Sequence, residues 1–125
     1  MRVEKVGIAA LKVSAAALEL DVSKEESCRT MIENAVSRFG RLDILVNNAG
    51  TTIRKQPETY SLAEWSQVLD TNLNGAFLCS QAAYPHIKHG GGGKIINIGS
   101  MLSIFGASYA AAYAASKGGI EWRFS

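Results

Sequence analysis

Tyr113-Ala114-Ala115-Ser116-Lys117 and, thirteen residues upstream, Ser100 supply the side chains needed to exchange a proton with a carbonyl or alcohol oxygen. A free phenol titrates near ~10 and is a poor base at neutral pH, but an ammonium one helical turn away stabilises its anion. Tyr113 and Lys117 stand at i and i+4, so a helix carries both on one face. Ser100, at the end of a neighbouring strand, is placed to hold the substrate oxygen while Tyr113 gives or takes its proton. This is alcohol–carbonyl chemistry without a metal.

A tyrosine and a lysine four residues apart on an alanine-rich helix also arise without any function. Tyr109 lies one turn before Tyr113, yet its own i+4 residue is Tyr113 rather than a cation. What makes the pattern specific is the ordered set Asn47-Asn48-Ala49-Gly50, Asn72, Ser100, Tyr113 and Lys117, each on a plausible element. Taken singly, each has a plainer structural explanation. Asn47 suits a turn after a strand, Asn72 suits a surface helix position, and Ser100 suits a loop hydroxyl bonded to nearby backbone.

With these motifs in this order, the chain resembles the short-chain dehydrogenase/reductase family from about Asp21 to Ile120. The resemblance implies an α/β fold with a partial doubly wound parallel sheet, Rossmann-like, over residues 1–125 as a single partial NAD(P)-binding domain. It implies an oxidoreductase that interconverts an alcohol and a carbonyl with NAD or NADP. The family's Asn-Ser-Tyr-Lys tetrad falls on Asn72, Ser100, Tyr113 and Lys117. Lys117 would also bond the nicotinamide ribose hydroxyls, and Asn72 would hold a water linking Lys117 to solvent. Further cofactor contacts implied by the resemblance fall on Asp21, which would bond the adenine amino group, on Val22 beside it, and on Asn48, Ala49 and Gly50. A small-molecule substrate, a cytoplasmic location and a homo-tetramer or homo-dimer complete what the family implies.

Within the family, Ala49-Gly50-Thr51-Thr52-Ile53-Arg54-Lys55 and Ile98-Gly99-Ser100-Met101-Leu102-Ser103 are similar to sugar-acid dehydrogenases such as gluconate 5-dehydrogenase and 2-deoxygluconate 3-dehydrogenase. Arg54 or Lys55 could face a substrate carboxylate, although loop cations are usually just solvated.

The elements needed to position these groups alternate as helices and short apolar runs, the pattern of βαβ units. Ala16 to Asp21 reads as a strand. Ser23 with Glu26 forms a capping box that opens a helix ending near Gly40. Leu42 to Asn47, with Ile44, Leu45 and Val46, reads as a fully buried strand. Ser61 with Glu64 repeats the capping signal and starts a long helix toward His89, with Pro85 near its end. Lys94 to Ile98 is the next strand, and a loop through Gly106 leads into the helix bearing Tyr113. The run Gly90-Gly91-Gly92-Gly93 precedes a strand, whereas a phosphate cradle follows a strand and opens a helix, so it reads as a flexible connector.

Composition sets wide bounds. With 125 residues, 47% hydrophobic and 19% charged, there is room for one core. A formal charge of +2 and the lack of a basic stripe interleaved with aromatics argue against nucleic-acid or membrane partners. Cys28 and Cys79 lie on expected helices and read as buried free thiols. Val6 to Ala17 loosely imitates a signal peptide, but Lys12 interrupts the apolar run and Glu4 spoils its basic flank.

None of the 12 glycines provides the family's glycine-rich pyrophosphate turn. Relative to the family pattern the first βαβ unit and the C-terminal part are missing, so the chain reads as an internal fragment, expected to be inactive alone. A doubly wound sheet orders its strands 3-2-1-4-5-6, which puts the missing strands between those at Ala16 and Leu42. The alternative function is a non-catalytic fragment that binds intact subunits through the helix from Ser61 and the small-residue surface of Ala110, Ala111, Ala112, Ala114 and Ala115.

Overall fold

Four consecutive residues of the apolar run after Leu42 form strand β1, Ile44–Asn47, and Lys94–Asn97 form β2. The computed structural model describes residues 14–122. The two strands pair in parallel, with Ile44 opposite Lys94, Leu45 opposite Ile95, Val46 opposite Ile96 and Asn47 opposite Asn97. Each strand is slightly shorter than its apolar run. Because side chains alternate across a strand, Leu45 and Asn47 turn toward the helices while Ile44 and Val46 stay half exposed.

Ala16 to Asp21 is not a strand. A strand is stabilised by its ladder, and among the described residues β1 pairs with β2 alone, so no neighbour runs beside this segment. The Ser23–Glu26 capping box does not form either. The Ser23 hydroxyl bonds the Asp21 carboxylate at 2.6 Å, and helix α1, Glu25–Phe39, starts behind Lys24 without a side-chain cap. Its C-terminus closes as expected, with Gly40 at φ 85° giving its N–H to the Val36 carbonyl.

The crossover between the strands is one helical run with an irregularity in the middle. Ser61 caps α2, Leu62–Leu69, by accepting the Glu64 N–H at 3.1 Å. A π turn follows over Asp70–Asn74, and the run continues as α3, Gly75–His89, with Pro85 inside it. Gly75 is where α3 meets the segment after Asp21: a Cβ there would stand 2.8 Å from Val22 Cγ2. The four glycines after α3 form a hydrogen-bonded turn rather than a slack connector, with Gly91 and Gly92 at positive φ and the Gly92 N–H on the Ile87 carbonyl.

The main core lies between α1, α3 and β1 and contains Val22, Cys28, Ile32, Leu45, Cys79, Ala83 and Ile87. Both cysteines are free and buried, and their thiols meet across the helix pair. A short helix α4, Leu102–Phe105, leads to α5, Ala111–Trp122, which packs on α2, the π turn and α4. The apolar segment at Val6 lies outside the described residues up to position 13. Among the described residues no helix is long and apolar enough to cross a membrane.

Candidate functional site

The π turn places Asn72 where α5 and the loop after β1 converge. One extra residue in a helical turn rotates the side chains that follow and frees backbone to bend, and such bulges often occur at functional sites. Asn72 is 1% exposed, so it is not a surface helix residue. Its Oδ1 accepts the Thr51 N–H at 2.7 Å, and its Nδ2 donates to the Thr51 carbonyl at 2.9 Å. The same amide nitrogen donates to Ser116 Oγ at 3.0 Å, and that hydroxyl donates to the Tyr113 carbonyl at 2.8 Å. One asparagine thereby ties the Asn-Asn-Ala-Gly loop to the helix bearing Tyr113.

Lys117 is 3% exposed. Its Nζ donates to the Ile98 carbonyl at 3.0 Å and lies 5.7 Å from the centroid of the Tyr113 ring. The last residue of the β2 run thus receives the ammonium carried by α5. Gly50 closes the group from the other side: a Cβ built on it would lie 3.6 Å from Asn72 Oδ1 and 3.8 Å from Lys117 Nζ. Among the described residues Lys117 has no carboxylate partner.

Ser100 follows β2 directly. Its Oγ accepts the Leu102 N–H at 3.2 Å, and its own N–H donates to Ser103 Oγ at 3.3 Å. A hydroxyl has one donor and two acceptor lone pairs, so this local bond leaves the Ser100 O–H able to donate. Asn47 plays a structural part, because its Nδ2 donates to Ser80 Oγ at 3.0 Å and to Asn97 Oδ1 at 2.8 Å, locking the ends of the two strands to α3. Asn48 is exposed and Ala49 partly buried at the start of the loop.

Asp21 stands apart from this group. The Ser23 hydroxyl and N–H hold its carboxyl below the usual carboxylate range, with a smaller contribution from Lys24, 3.9 Å away. It lines a surface depression of about 620 Å³ together with Leu18, Leu20, Ser27 and Thr30. Val22 has its side chain in the core and its carbonyl on the Cys28 thiol at 3.5 Å.

The residues that sequence reasoning passed over are Ser116 and Thr51. Ser116 stands three residues after Tyr113, on the same helix face, which is a usable signal. Thr51 acts through its backbone, for which side-chain identity carries no signal.

A family profile described as short chain dehydrogenase matches residues 3–122. The chain is 43% identical over 104 residues to 2-dehydro-3-deoxy-D-gluconate 5-dehydrogenase of Escherichia coli (strain K12), covering 82% of this chain and 41% of that protein. It is also 43% identical over 104 residues to trans-4-hydroxycyclohexanecarboxylate dehydrogenase of Sinomonas cyclohexanicum, covering 83% and 40%. A 3-oxoacyl-[acyl-carrier-protein] reductase of Staphylococcus aureus (strain Mu50 / ATCC 700699) is 39% identical over 113 residues, covering 90% and 46%. A crystal structure from Sinorhizobium meliloti 1021, described as a short-chain alcohol dehydrogenase, superposes with a TM-score of 0.82 at 40% identity, over 84% of this chain and 42% of that one. The chain therefore spans less than half the length of these relatives.

Proposed function

This chain belongs to the short-chain dehydrogenase family, and we propose that the protein carrying it is an NAD(P)-dependent oxidoreductase interconverting an alcohol and a carbonyl. Asn72, Ser100, Tyr113 and Lys117 are its proton-handling residues. The observation that carries this reading is the Lys117 ammonium, buried without a carboxylate partner among the described residues and one turn from Tyr113. Burying an ammonium without a counter-charge costs several kcal/mol. A lysine with only a packing role would carry its head to solvent.

The residues present suit the two nucleoside ends of a dinucleotide. At the nicotinamide end, Lys117 gives one of its three N–H donors to Ile98, and the others are available to ribose hydroxyls beside Gly50. At the adenine end, Asp21 is held ionised and exposed enough to accept an amino N–H. A nicotinamide held there would supply or accept the hydride. Tyr113 gives or takes the proton of the substrate oxygen, Ser100 orients that oxygen by donating its O–H, and Lys117 stands one helical turn away with its Nζ 5.7 Å from the Tyr113 ring centroid. Asn72 holds the loop after β1 to the helix that bears Tyr113, and we assign it the water that would link Lys117 to solvent.

A carboxylate-bearing hydroxy or keto acid, such as a sugar acid, is the substrate class we favour. Two of the relatives are named for acids, 2-dehydro-3-deoxy-D-gluconate and trans-4-hydroxycyclohexanecarboxylate. We read the assembly as a homo-tetramer or homo-dimer in the cytoplasm, supported by Leu62 and Tyr84 lying exposed on the crossover helices.

The decisive test is Tyr113→Phe in the full-length protein. Removing the phenol oxygen should lower kcat by about 10²–10⁴ while NADH and NADPH affinities, read by nucleotide fluorescence, stay within about threefold. A variant that keeps most of its rate removes Tyr113 from the reaction.

A further inference from the structure

We infer that Arg54, and not its neighbour Lys55, is the group that selects a carboxylate on the substrate, a statement that rests on the dehydrogenase reading above. Residues 51–55 leave the site as a short loop held at both ends. At Thr51 both backbone polar groups are bonded to Asn72. At Lys55 the N–H donates to the Tyr109 carbonyl at 3.0 Å, just before the helix that bears Tyr113. Between these anchors the Tyr60 hydroxyl donates to the Ile53 carbonyl. The loop is thus fixed at three points, one of them on Asn72 itself and one on the turn that leads into the helix bearing Tyr113.

The two cations of the loop are in different states. Lys55 Nζ donates to Glu64 Oε2 at 2.7 Å and lies 5.9 Å from the Tyr60 ring centroid, and the pair is about one-third exposed. Glu64 is itself fixed, since its N–H is on the Ser61 cap. Lys55 is neutralised and occupied in pinning the loop to α2. Arg54 is exposed and has no ion pair or hydrogen bond among the described residues. With Glu64 engaged by Lys55, the acid left on this stretch is the exposed Glu58 of the 3-10 turn Pro57–Thr59.

Position completes the case. Three residues of extended chain span at most about 10 Å, so the Arg54 backbone stays within that distance of Thr51 and hence close to the Asn72–Lys117 group. A planar guanidinium on a rigid loop suits bidentate recognition of a carboxylate, which a point-charge ammonium does not match. Held there, a carboxylate orients the far end of a hydroxy acid while its reacting oxygen lies at Ser100 and Tyr113.

The test compares gluconate with sorbitol, its uncharged polyol counterpart, in the full-length protein with NAD and NADP. Arg54→Gln should raise KM for gluconate about 10- to 100-fold with kcat within about threefold, leaving sorbitol kinetics and dinucleotide affinity unchanged. Arg54→Lys should recover part of the loss. Lys55→Gln should weaken both substrates alike and lower the melting temperature, because it releases the loop. Equal effects of Arg54→Gln on the two substrates, no effect, or a gluconate-selective loss in Lys55→Gln instead would each overturn the assignment to Arg54. A wild-type protein that oxidises sorbitol and other neutral alcohols without preferring acids sinks the carboxylate idea but leaves the dehydrogenase. Loss of all nucleotide-dependent turnover sinks both.

Discussion

Asn72 binds one loop and one helix through a single amide, so its loss is felt in both. In Asn72→Ala the Thr51 N–H and carbonyl and the Ser116 hydroxyl lose a buried partner at once. Each buried polar group left unpaired costs about 1–3 kcal/mol, though relaxation and water recover part of it. A net destabilisation of about 3 kcal/mol is expected from urea unfolding. Ser116→Ala should cost about 1 kcal/mol, because the Asn72 amide keeps its Thr51 bonds. If the two variants are equally stable, Asn72 is not the hub that its hydrogen bonds describe. At this scale the sequence was informative where side-chain identity carried the signal. Tyr113, Lys117 and Asn72 were picked out by type and order. The carbonyl of Ile98 and the backbone of Thr51 were not, since any residue supplies those groups.

Among the elements, boundaries followed the local signals when the bonds those signals need were available. Ser61 caps α2 because its hydroxyl has no competing partner, whereas Ser23 is drawn to Asp21 and α1 starts uncapped. The π turn at Asp70–Asn74 left no mark in a hydrophobic pattern that runs smoothly through it. The tightest constraint is at the turn into β2. A Cβ on Gly93 would lie 1.9 Å from the Asp43 carbonyl oxygen, which also accepts the Lys94 N–H at 2.9 Å. Since the obstacle is backbone, fixed just before β1 by its bond from the Lys94 N–H, it cannot rotate away. Gly93→Ala should therefore destabilise by about 3 kcal/mol or more. Gly91, at φ 98° with open space around it, should cost only about 1 kcal/mol as alanine. Thermal melts of the two variants give the ranking, and a Gly93→Ala protein that melts with the wild type would refute the close approach.

At the scale of the molecule, the sheet of the described residues has two strands, β1 and β2. Ile44 and Val46 of β1 and Ile96 of β2, with Ile98 just after it, are 55%, 51%, 41% and 39% exposed, and two-stranded sheets are marginal in isolation. Cohesion therefore rests on the α1–α3–β1 core, where Cys28 and Cys79 are 0% and 3% exposed. Burial, then the hydrogen bond to Cys28 and the charge Cys28 would carry, push the Cys79 thiol up to about 12 from an ordinary 9.0. Burial likewise raises Cys28. A thiol kept neutral in the folded chain but ionised in the unfolded one favours folding fully below pH 9. That contribution is lost as pH rises through the window toward 12, because the unfolded chain then binds fewer protons. One pH unit is worth about 1.4 kcal/mol per thiol, so at pH 10.5 the loss from Cys79 alone is about 2 kcal/mol. Cys79→Ala isolates the share of this thiol from that of the rest of the chain. Urea midpoints at pH 7 and pH 10.5 should drop clearly less in Cys79→Ala than in the wild type. Equal drops would mean that the Cys79 thiol ionises no less readily in the folded chain than in the unfolded one, and that the core between α1 and α3 is open to water.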